Sequence, residues 1–220
     1  HRDLHSFPTR RSSDLMDVTF RKARPEDVDT SVELIAATMA DFGVMTMGLG
    51  SRELELKALR HWFVKPGNRF SHEFCTLAEV EGETTGLLLT LRGDRLEHLE
   101  RTLADGILKV YNPLQMLRML WRLMVLGRTE EANKDEFLVS HVAVAPDYRR
   151  RGIATALLQR AEKEAKEQGF AKLVLEVEID NANAIHVYKR FGFSTVLTTR
   201  FKRREKILGC PGYYKMLKGI

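Results

Sequence analysis

The hydrophobic and polar positions in the first part of the chain predict mainly helical structure. A weak alternation over residues 18–22 predicts a short edge strand. Pro25, followed by two acids, is typical of a helix start, and a rough apolar helical face follows as far as Met39. Glycines within residues 43–50 predict a loop. Ser51 then provides an N-cap for a second amphipathic helix.

The remaining pattern predicts strands that alternate with helices. The predicted strands span residues 74–80, 84–91, 137–144, 172–180 and 212–217, and a further strand is predicted to follow Phe193. Glu81-Gly82-Glu83 predicts a tight turn that makes the first two strands a hairpin. Apolar residues recurring every fourth position predict the clearest helix over 151–168, and residues 181–190 predict a shorter one. This order predicts an α/β fold, with helices flanking a mixed sheet.

Residues 92–134 form a long insertion between two predicted strands. Pro113 is a plausible helix start, since proline is tolerated in the first turn. The helix would carry more apolar residues than one buried stripe needs. These residues are Leu114, Met116, Leu117, Met119, Leu120, Trp121, Leu123, Met124 and Leu126. We expect this helix to pack on the core and form a wall of the functional site, although a dimer interface is an open alternative.

Composition favours one globular domain and excludes some classes of protein. The chain has 220 residues, of which 44% are hydrophobic and 30% are charged. No apolar run approaches the ~20 residues of a membrane span. Cys75 and Cys210 are too few for a disulfide framework, so we expect structural cysteines and a cytoplasmic location. The net charge of +5 is compatible with nucleic acid, an acidic partner or an anionic cofactor. No cluster has metal-ligand spacing.

Residues 1–15 look foreign to the rest of the chain. Residues 6–15 resemble the translation of a common sequencing adapter, and Met16 follows directly. We expect this leader to be non-native and disordered, although a real basic arm is the alternative. The predicted domain therefore spans residues 16–220 and contains the insertion.

Three consecutive arginines between the 137–144 strand and the next helix suggest a phosphate cradle. Arginine is unfavourable at the positive N-terminus of a helix unless an anion lies among the side chains. Gly152 allows close approach to the backbone, Ala154 is small and Thr155 offers a hydroxyl. A solvated basic loop is the alternative. The turn lacks the Gly-Lys-Ser/Thr ending of a nucleotide P-loop. It also lacks the three-glycine fingerprint of dinucleotide-binding folds.

Two segments in this region resemble signatures of the GNAT N-acetyltransferase superfamily. The first is Val142-Ala143-Val144-Ala145-Pro146-Asp147-Tyr148-Arg149-Arg150-Arg151-Gly152-Ile153-Ala154. The second is Asn181-Ala182-Asn183-Ala184-Ile185-His186-Val187-Tyr188-Lys189-Arg190-Phe191-Gly192-Phe193. The resemblance covers about 137–193. It implies a GNAT-like, mostly antiparallel central sheet flanked by helices, with the helical insertion placed before the fourth strand.

The resemblance also implies which residues hold acetyl-CoA. Backbone groups of Val142, Ala143 and Val144 would bind the pantetheine arm and polarise the thioester carbonyl. Backbone N–H groups of 150–155 would hold the pyrophosphate, and Arg149 matches the leading basic residue of the motif. The expected cofactor-binding residues are therefore Val142, Ala143, Val144, Arg149, Arg150, Arg151, Gly152, Ile153, Ala154, Thr155 and Asn181.

Candidate catalytic residues lie within and between the two signatures. Tyr188 matches the tyrosine that commonly protonates the sulfur of CoA, while a core tyrosine is the structural alternative. Glu176, Glu178 and Asp180 share one face of the 172–180 strand, which suggests a wet cleft. Glu176 also matches the general base of enzymes that acetylate ribosomal-protein N-termini. His141 is a second candidate base, and a water chain without a single base is also possible.

These features predict an acetyltransferase that moves an acetyl group from acetyl-CoA directly to a primary amine. The acceptor would be a peptide N-terminus or a small amine. The alternatives are a noncatalytic acyl-CoA sensor and a basic RNA- or ribosome-associated protein. We expect a monomer or homodimer without metal and without a membrane partner, and nucleic acid is not favoured.

Overall fold

The computed structural model describes residues 17–127 and 131–220. The strands are β1 (Thr19–Lys22), β2 (Cys75–Val80), β3 (Glu83–Arg92), β4 (Phe137–Val144), β5 (Lys172–Glu178), β6 (Ser194–Arg200) and β7 (Gly212–Gly219). The helices are α1 (Val28–Thr46), α2 (Arg52–Phe63), α3 (Leu96–Val110), α4 (Pro113–Leu126), α5 (Ile153–Glu167), α6 (Ala182–Phe191) and α7 (Glu205–Leu208). The leader hypothesis, including the start at Met16, concerns residues outside these ranges.

The strands form one sheet in the order β1-β2-β3-β4-β5-β7-β6. The β4–β5 pair is parallel, and the other neighbouring pairs are antiparallel. This confirms the predicted mixed, mostly antiparallel sheet, with β1 at an edge and β4 in the centre. The β2–β3 turn has positive φ at Glu81 and Gly82, which is the backbone that a two-residue hairpin requires.

The pairing between β4 and β5 ends early. It comprises Phe137 with Leu173 and Leu138 with Val174, although both strands continue for several residues. At this point β4 contains a bulge, because Val139 and His141 pair with consecutive residues of β3 and leave Ser140 extra. A bulge bends its strand and interrupts pairing. The carboxyl ends of β4 and β5 therefore separate and leave a gap in the sheet, which we call the β4–β5 gap.

Helices cover both faces of the sheet and define two apolar clusters. One cluster contains residues of α1 and α2, such as Ile35 and Phe63, and packs against Leu87 and Val174 of the sheet. The other contains the apolar residues of α5 that recur every fourth position and partly buried residues of α6. These pack against Leu173, Leu175 and Val177. We refer to these faces as the α1 face and the α5 face. Alternation along β5 places Glu176 and Glu178 with Val174 on the α1 face.

The structure corrects several predicted boundaries. Helix α1 continues through Gly43 to Thr46, with a kink at Ala40, where φ is 43°. Helix α5 begins at Ile153 rather than at Arg151. Strand β5 ends at Glu178, so Asp180 lies beyond the strand.

The predicted packing of the insertion needs a larger correction. The insertion forms two helices rather than one, and both lie before β4. Helix α3 packs on the core through Leu96, Leu99 and Val110. In α4, however, Met119 is the buried residue, and most of the apolar side chains are exposed.

In the described ranges, no helix has the length and apolar character needed to cross a membrane.

Candidate active site

The turn that contains Arg149, Arg150 and Arg151, which we call the arginine turn, has a distinctive backbone. A short 3-10 turn, Pro146–Tyr148, follows β4, and φ is positive at both Arg150 (63°) and Gly152 (88°). Gly152 is the N-cap of α5, and a glycine has no side chain that could cap the helix. The first N–H groups of a helix have no partner within that helix. This arrangement concentrates backbone donors at the positive end of the helix dipole.

The space beside this turn suits a bulky anion. A Cβ placed on Gly152 would meet nothing within 4 Å, so the backbone is open on that side. The side chains of Arg149, Arg150 and Arg151 are exposed. Arg149 Nε donates to the carbonyl oxygen of Val144 at 3.2 Å, and the Arg151 guanidinium lies 5.4 Å from the ring centroid of Tyr148. The residues present therefore fit a pyrophosphate group, and binding of that group here stays a prediction.

Tyr188 lies on the α5 face, in the same cluster as Val142 and Val144 of β4. Its ring is partly buried and packs edge-on against Phe193, with centroids 6.0 Å apart. Burial raises the pKa of Tyr188 to about 12, so the phenol stays protonated at neutral pH. The hydroxyl makes no hydrogen bond to another residue of the ranges 17–127 and 131–220, which leaves its proton available.

Asn181 has a local structural role that sequence reasoning did not identify. Its side chain caps α6, because Oδ1 accepts a hydrogen bond from the Ala184 N–H at 3.1 Å. The residue is exposed at the helix start. Contact between Asn181 and a cofactor therefore remains a prediction, and the side-chain amide nitrogen is the group available for it.

Two carboxylates with raised pKa values lie on the α1 face, across the sheet from Tyr188. The pKa of Glu176 is raised to about 7, mainly by burial and then by the charge of Glu131, while Lys215 and Arg69 oppose the shift. The pKa of Glu178 is also raised to about 7, by burial and by Asp180 and Asp41. Each carboxylate takes up and releases a proton near neutrality, as a general base must.

An ion pair beside Glu176 was missed by the sequence analysis. Arg69 forms two hydrogen bonds to the carboxylate of Glu131, at 3.0 and 2.5 Å, and a longer contact of 3.3 Å to Glu100. Burial of Arg69 and Glu131 strengthens their attraction, and the charge of Arg69 lowers the pKa of Glu131. The partners are 62 positions apart in sequence, and no short motif marks them.

His141 lies on the α1 face, next to the β4 bulge. Its ring stacks on Phe70, and Nδ1 lies 2.7 Å from the Thr38 hydroxyl oxygen. That hydroxyl donates to the Ile35 carbonyl at 2.7 Å, so Nδ1 is assigned as the donor to Thr38. Nε2 then keeps its lone pair. Burial and the charge of Arg69 lower the pKa of His141 to about 4, which makes it a weaker base than Glu176 at neutral pH.

Both cysteines are buried and unpaired. Burial raises the pKa of Cys75, and it raises that of Cys210 to about 11, so neither is a thiolate at neutral pH. This agrees with their predicted structural role. Within the described ranges, no three His, Cys, Asp or Glu side chains come together as metal ligands.

Comparison with known sequences adds a family to this geometry. The profile of the acetyltransferase (GNAT) family matches residues 50–193. The streptothricin acetyltransferase A of Bacillus subtilis is 39% identical over 83 residues, which cover 36% of this chain and 47% of that protein. The [ribosomal protein bS18]-alanine N-acetyltransferase of Escherichia coli K12 is 41% identical over 66 residues, or 30% and 45% of the two chains.

An N-alpha-acetyltransferase of Sulfurisphaera tokodaii is 42% identical over 86 residues, covering 39% of this chain and 51% of that protein. The chain thus spans about half the length of the curated relatives that it matches.

Solved structures share the fold at low sequence identity. The N-acetyltransferase from Staphylococcus aureus Mu50 superposes with a TM-score of 0.70 at 22% identity, covering 91% of this chain and all of that one. The PaiA N-acetyltransferase of Thermoplasma acidophilum, solved in complex with coenzyme A, has a TM-score of 0.51 at 15% identity. It covers 93% of this chain and all of that one.

Proposed function

The chain belongs to the acetyltransferase (GNAT) family, and on that premise we propose that it transfers an acetyl group from acetyl-CoA to a primary amine. The observation that carries this proposal is the β4–β5 gap, where pairing ends after Leu138 and Val174. The arginine turn and Tyr188 lie with the α5 face, whereas Glu176 lies on the α1 face. We infer that the gap connects the two sides, so that donor and acceptor would meet between the strands.

The cofactor would be held mainly by backbone groups. The N–H groups of 150–155 would bind the pyrophosphate, with Arg149 and its neighbours screening the charge. The backbone of Val142, Ala143 and Val144 would hold the pantetheine arm, because β4 has no strand partner in β5 along this stretch. Acetyl-CoA bound there supplies the thioester from which the acetyl group leaves.

Two side chains would move protons during the transfer. Glu176 would accept a proton from the acceptor amine, directly or through water, since its pKa of about 7 suits a base at neutral pH. Tyr188 Oη would donate its proton to the departing sulfur. A direct transfer needs no covalent enzyme intermediate, and the buried, protonated cysteines agree with that.

The carboxylates of the α1 face favour a cationic acceptor. Glu176 and Glu178 lie on this side of the gap, and their carboxylates would attract a protonated amine when they are ionised. The relatives are named for acceptors of two kinds, a ribosomal-protein alanine and streptothricin. We therefore propose that a peptide N-terminus or a small amine is the acceptor.

Replacement of Tyr188 by phenylalanine tests the proposed acid. We expect Tyr188→Phe to lower kcat about 100-fold, because the sulfur loses its proton donor, while the Kd for acetyl-CoA changes less than about twofold. Thiol release and calorimetric binding measure the two quantities. Tyr214→Phe is the matched control, since Tyr214 is a partly buried tyrosine of the same cluster. Equal kcat in both variants and the wild type would refute the assignment.

A further inference from the structure

The outward side of α4 is apolar. We call the following exposed residues the outer face of α4: Leu114, Leu117, Leu120, Trp121, Leu123 and Met124. Their exposed fractions range from 49% for Trp121 to 75% for Met124. Leu117, Leu120, Trp121 and Met124 line an open depression on this side of the helix together with Arg118. Large contiguous patches of exposed apolar surface are uncommon on soluble proteins and often mark an interaction site.

Helix α4 is well formed, so the exposure does not come from a poorly specified segment. Asn112 and Gln115 form a reciprocal capping box at its start, with distances of 2.9 and 3.0 Å, and Pro113 occupies the first turn. On the inward side, Met119 is buried, and Val125 and Leu126 pack near Phe201 and Leu208. The helix therefore uses a narrow apolar stripe for the core and leaves a second apolar stripe outside.

The charged residues of α4 and of the segment at its carboxyl end are mostly positive. The fourteen residues of α4 include Arg118 and Arg122 and no acid. The segment 202–206 packs at the carboxyl end of the helix, where Arg204 Nη1 donates to the Val125 carbonyl at 2.7 Å. This segment is fully exposed and contains four cations and one acid. We call its cations, Lys202, Arg203, Arg204 and Lys206, the basic rim.

We propose that the outer face of α4 and the basic rim bind the surface of an anionic lipid bilayer. A helix that presents Leu, Met and Trp beside Arg and Lys has the composition of helices that lie in the membrane interface. The apolar side chains would enter the acyl boundary, and the rim would contact anionic headgroups. A second copy of this chain fits the face less well, because pairing two such faces would add repulsion between like-charged rims. The proposal departs from the expectation of no membrane partner, which the structure leaves as a prediction.

Vesicle binding by the whole chain tests the proposal. The protein is mixed at low salt with vesicles of phosphatidylcholine alone or of phosphatidylcholine with phosphatidylserine, and sedimentation is measured. Trp121 provides a second readout, since the other tryptophan, Trp62, is buried. We expect sedimentation with the serine-containing vesicles, a blue shift of tryptophan emission, and loss of both at high salt.

Variants separate the two parts of the surface. Lys202→Gln with Arg203→Gln should weaken partitioning roughly 25-fold, at about fivefold for each cation removed. Leu117→Gln should weaken it about tenfold or more. Val196→Gln with Leu197→Gln is the matched control, because both residues are exposed and apolar but lie on β6. The control should bind vesicles like the wild type, and all variants should keep the wild-type thermal transition.

Three results would overturn the proposal. The first is no sedimentation with either vesicle type at low salt. The second is equal binding to both vesicle types, which would remove the role of the rim. The third is a protein-concentration-dependent dimer that shifts Trp121 emission without lipid, which would assign the face to a second copy. None of these results depends on acetyl transfer, so the proposed function can fail or stand independently.

Discussion

Glu176 shows what a neighbouring charge and burial do to one carboxylate. The alternation of residues 172–180 predicted that acids share a face of this strand, and the structure places Glu176 and Glu178 there. What the alternation did not reveal is Glu131, whose charge adds to the effect of burial on the pKa of Glu176. The pKa of a carboxylate depends on charges from residues that are distant in sequence. A strand pattern therefore identifies the face on which an acid lies but not the pKa of that acid.

Glu176→Gln tests the base through the pH dependence of the rate. In the wild type, kcat/KM should rise with pH through about 7, because the carboxylate must be ionised to accept a proton. The glutamine variant should lose roughly 100-fold or more in kcat/KM at the plateau and should lack this ascending limb. Thiol release from acetyl-CoA, measured across pH at saturating donor, provides the profile. An unchanged limb in the variant would exclude Glu176 as the base.

The same variant has a predictable effect on stability. The folded protein binds more protons than the unfolded chain between the ordinary pKa of 4.5 and about 7, because folding raises the pKa of Glu176. The free energy of unfolding therefore falls as pH rises through this window. Glu176→Gln lacks this contribution, so its stability relative to the wild type should increase toward alkaline pH in denaturant titrations. A constant difference across the window would show that the pKa is not raised.

The two ends of α5 provide a matched test of the phosphate cradle. Gly152 and Gly169 have φ values of 88° and 80°, and a Cβ would meet nothing within 4 Å at either position. Alanine should cost a similar strain at both, about 1–2 kcal/mol in the free energy of unfolding. Only Gly152→Ala should also weaken acetyl-CoA binding, by roughly tenfold in Kd, because only that end lies at the proposed pyrophosphate site. Equal acetyl-CoA affinity in the two variants would place the cofactor elsewhere.

The insertion was located from the sequence, but its architecture was not. A signal for α3 was present in the three- and four-residue spacing of Leu96, Leu99, Leu103, Ile107 and Val110. The apolar breadth of α4 was noticed, yet breadth alone does not determine which stripe faces the core. That choice depends on where α1 and the segment after β6 lie, because these elements pack against one side of α4. Tertiary packing of this kind has no local sequence signature.

The segment after α4 contributes Glu131 to the electrostatic environment of Glu176. Because Glu131 raises the pKa of Glu176, Glu131→Gln should lower that pKa and shift the ascending limb of the rate profile to lower pH. Glu100→Gln is the control, since Glu100 also contacts Arg69 but is more exposed. We expect the control to leave the limb in place. A shift to higher pH in Glu131→Gln, or equal shifts in both variants, would contradict this description of the site.

Across the molecule, the sheet brings the two signatures into one region, because Val142 and Val144 of β4 and Tyr188 of α6 belong to the same cluster. Sequence reasoning predicted the sheet class and the central position of β4, because these depend on local periods. The β4–β5 gap was not predicted. The bulge at Ser140 has no glycine or proline to mark it, and it is visible only as a register shift against β3. In the proposed mechanism, the gap would allow the phosphate cradle on one side and Glu176 on the other to act on the same pair of substrates.

The most direct test of the central claim is a mass measurement of acetyl transfer. The protein is incubated with acetyl-CoA and a panel of small amines and peptides with free N-termini, and both acetylated product and free thiol are quantified. The account predicts at least one acceptor whose acetylated product matches the thiol released, with Glu176→Gln and Tyr188→Phe reducing both together. Tight acetyl-CoA binding without an acetylated product from any acceptor would contradict it and would indicate a protein that senses acetyl-CoA.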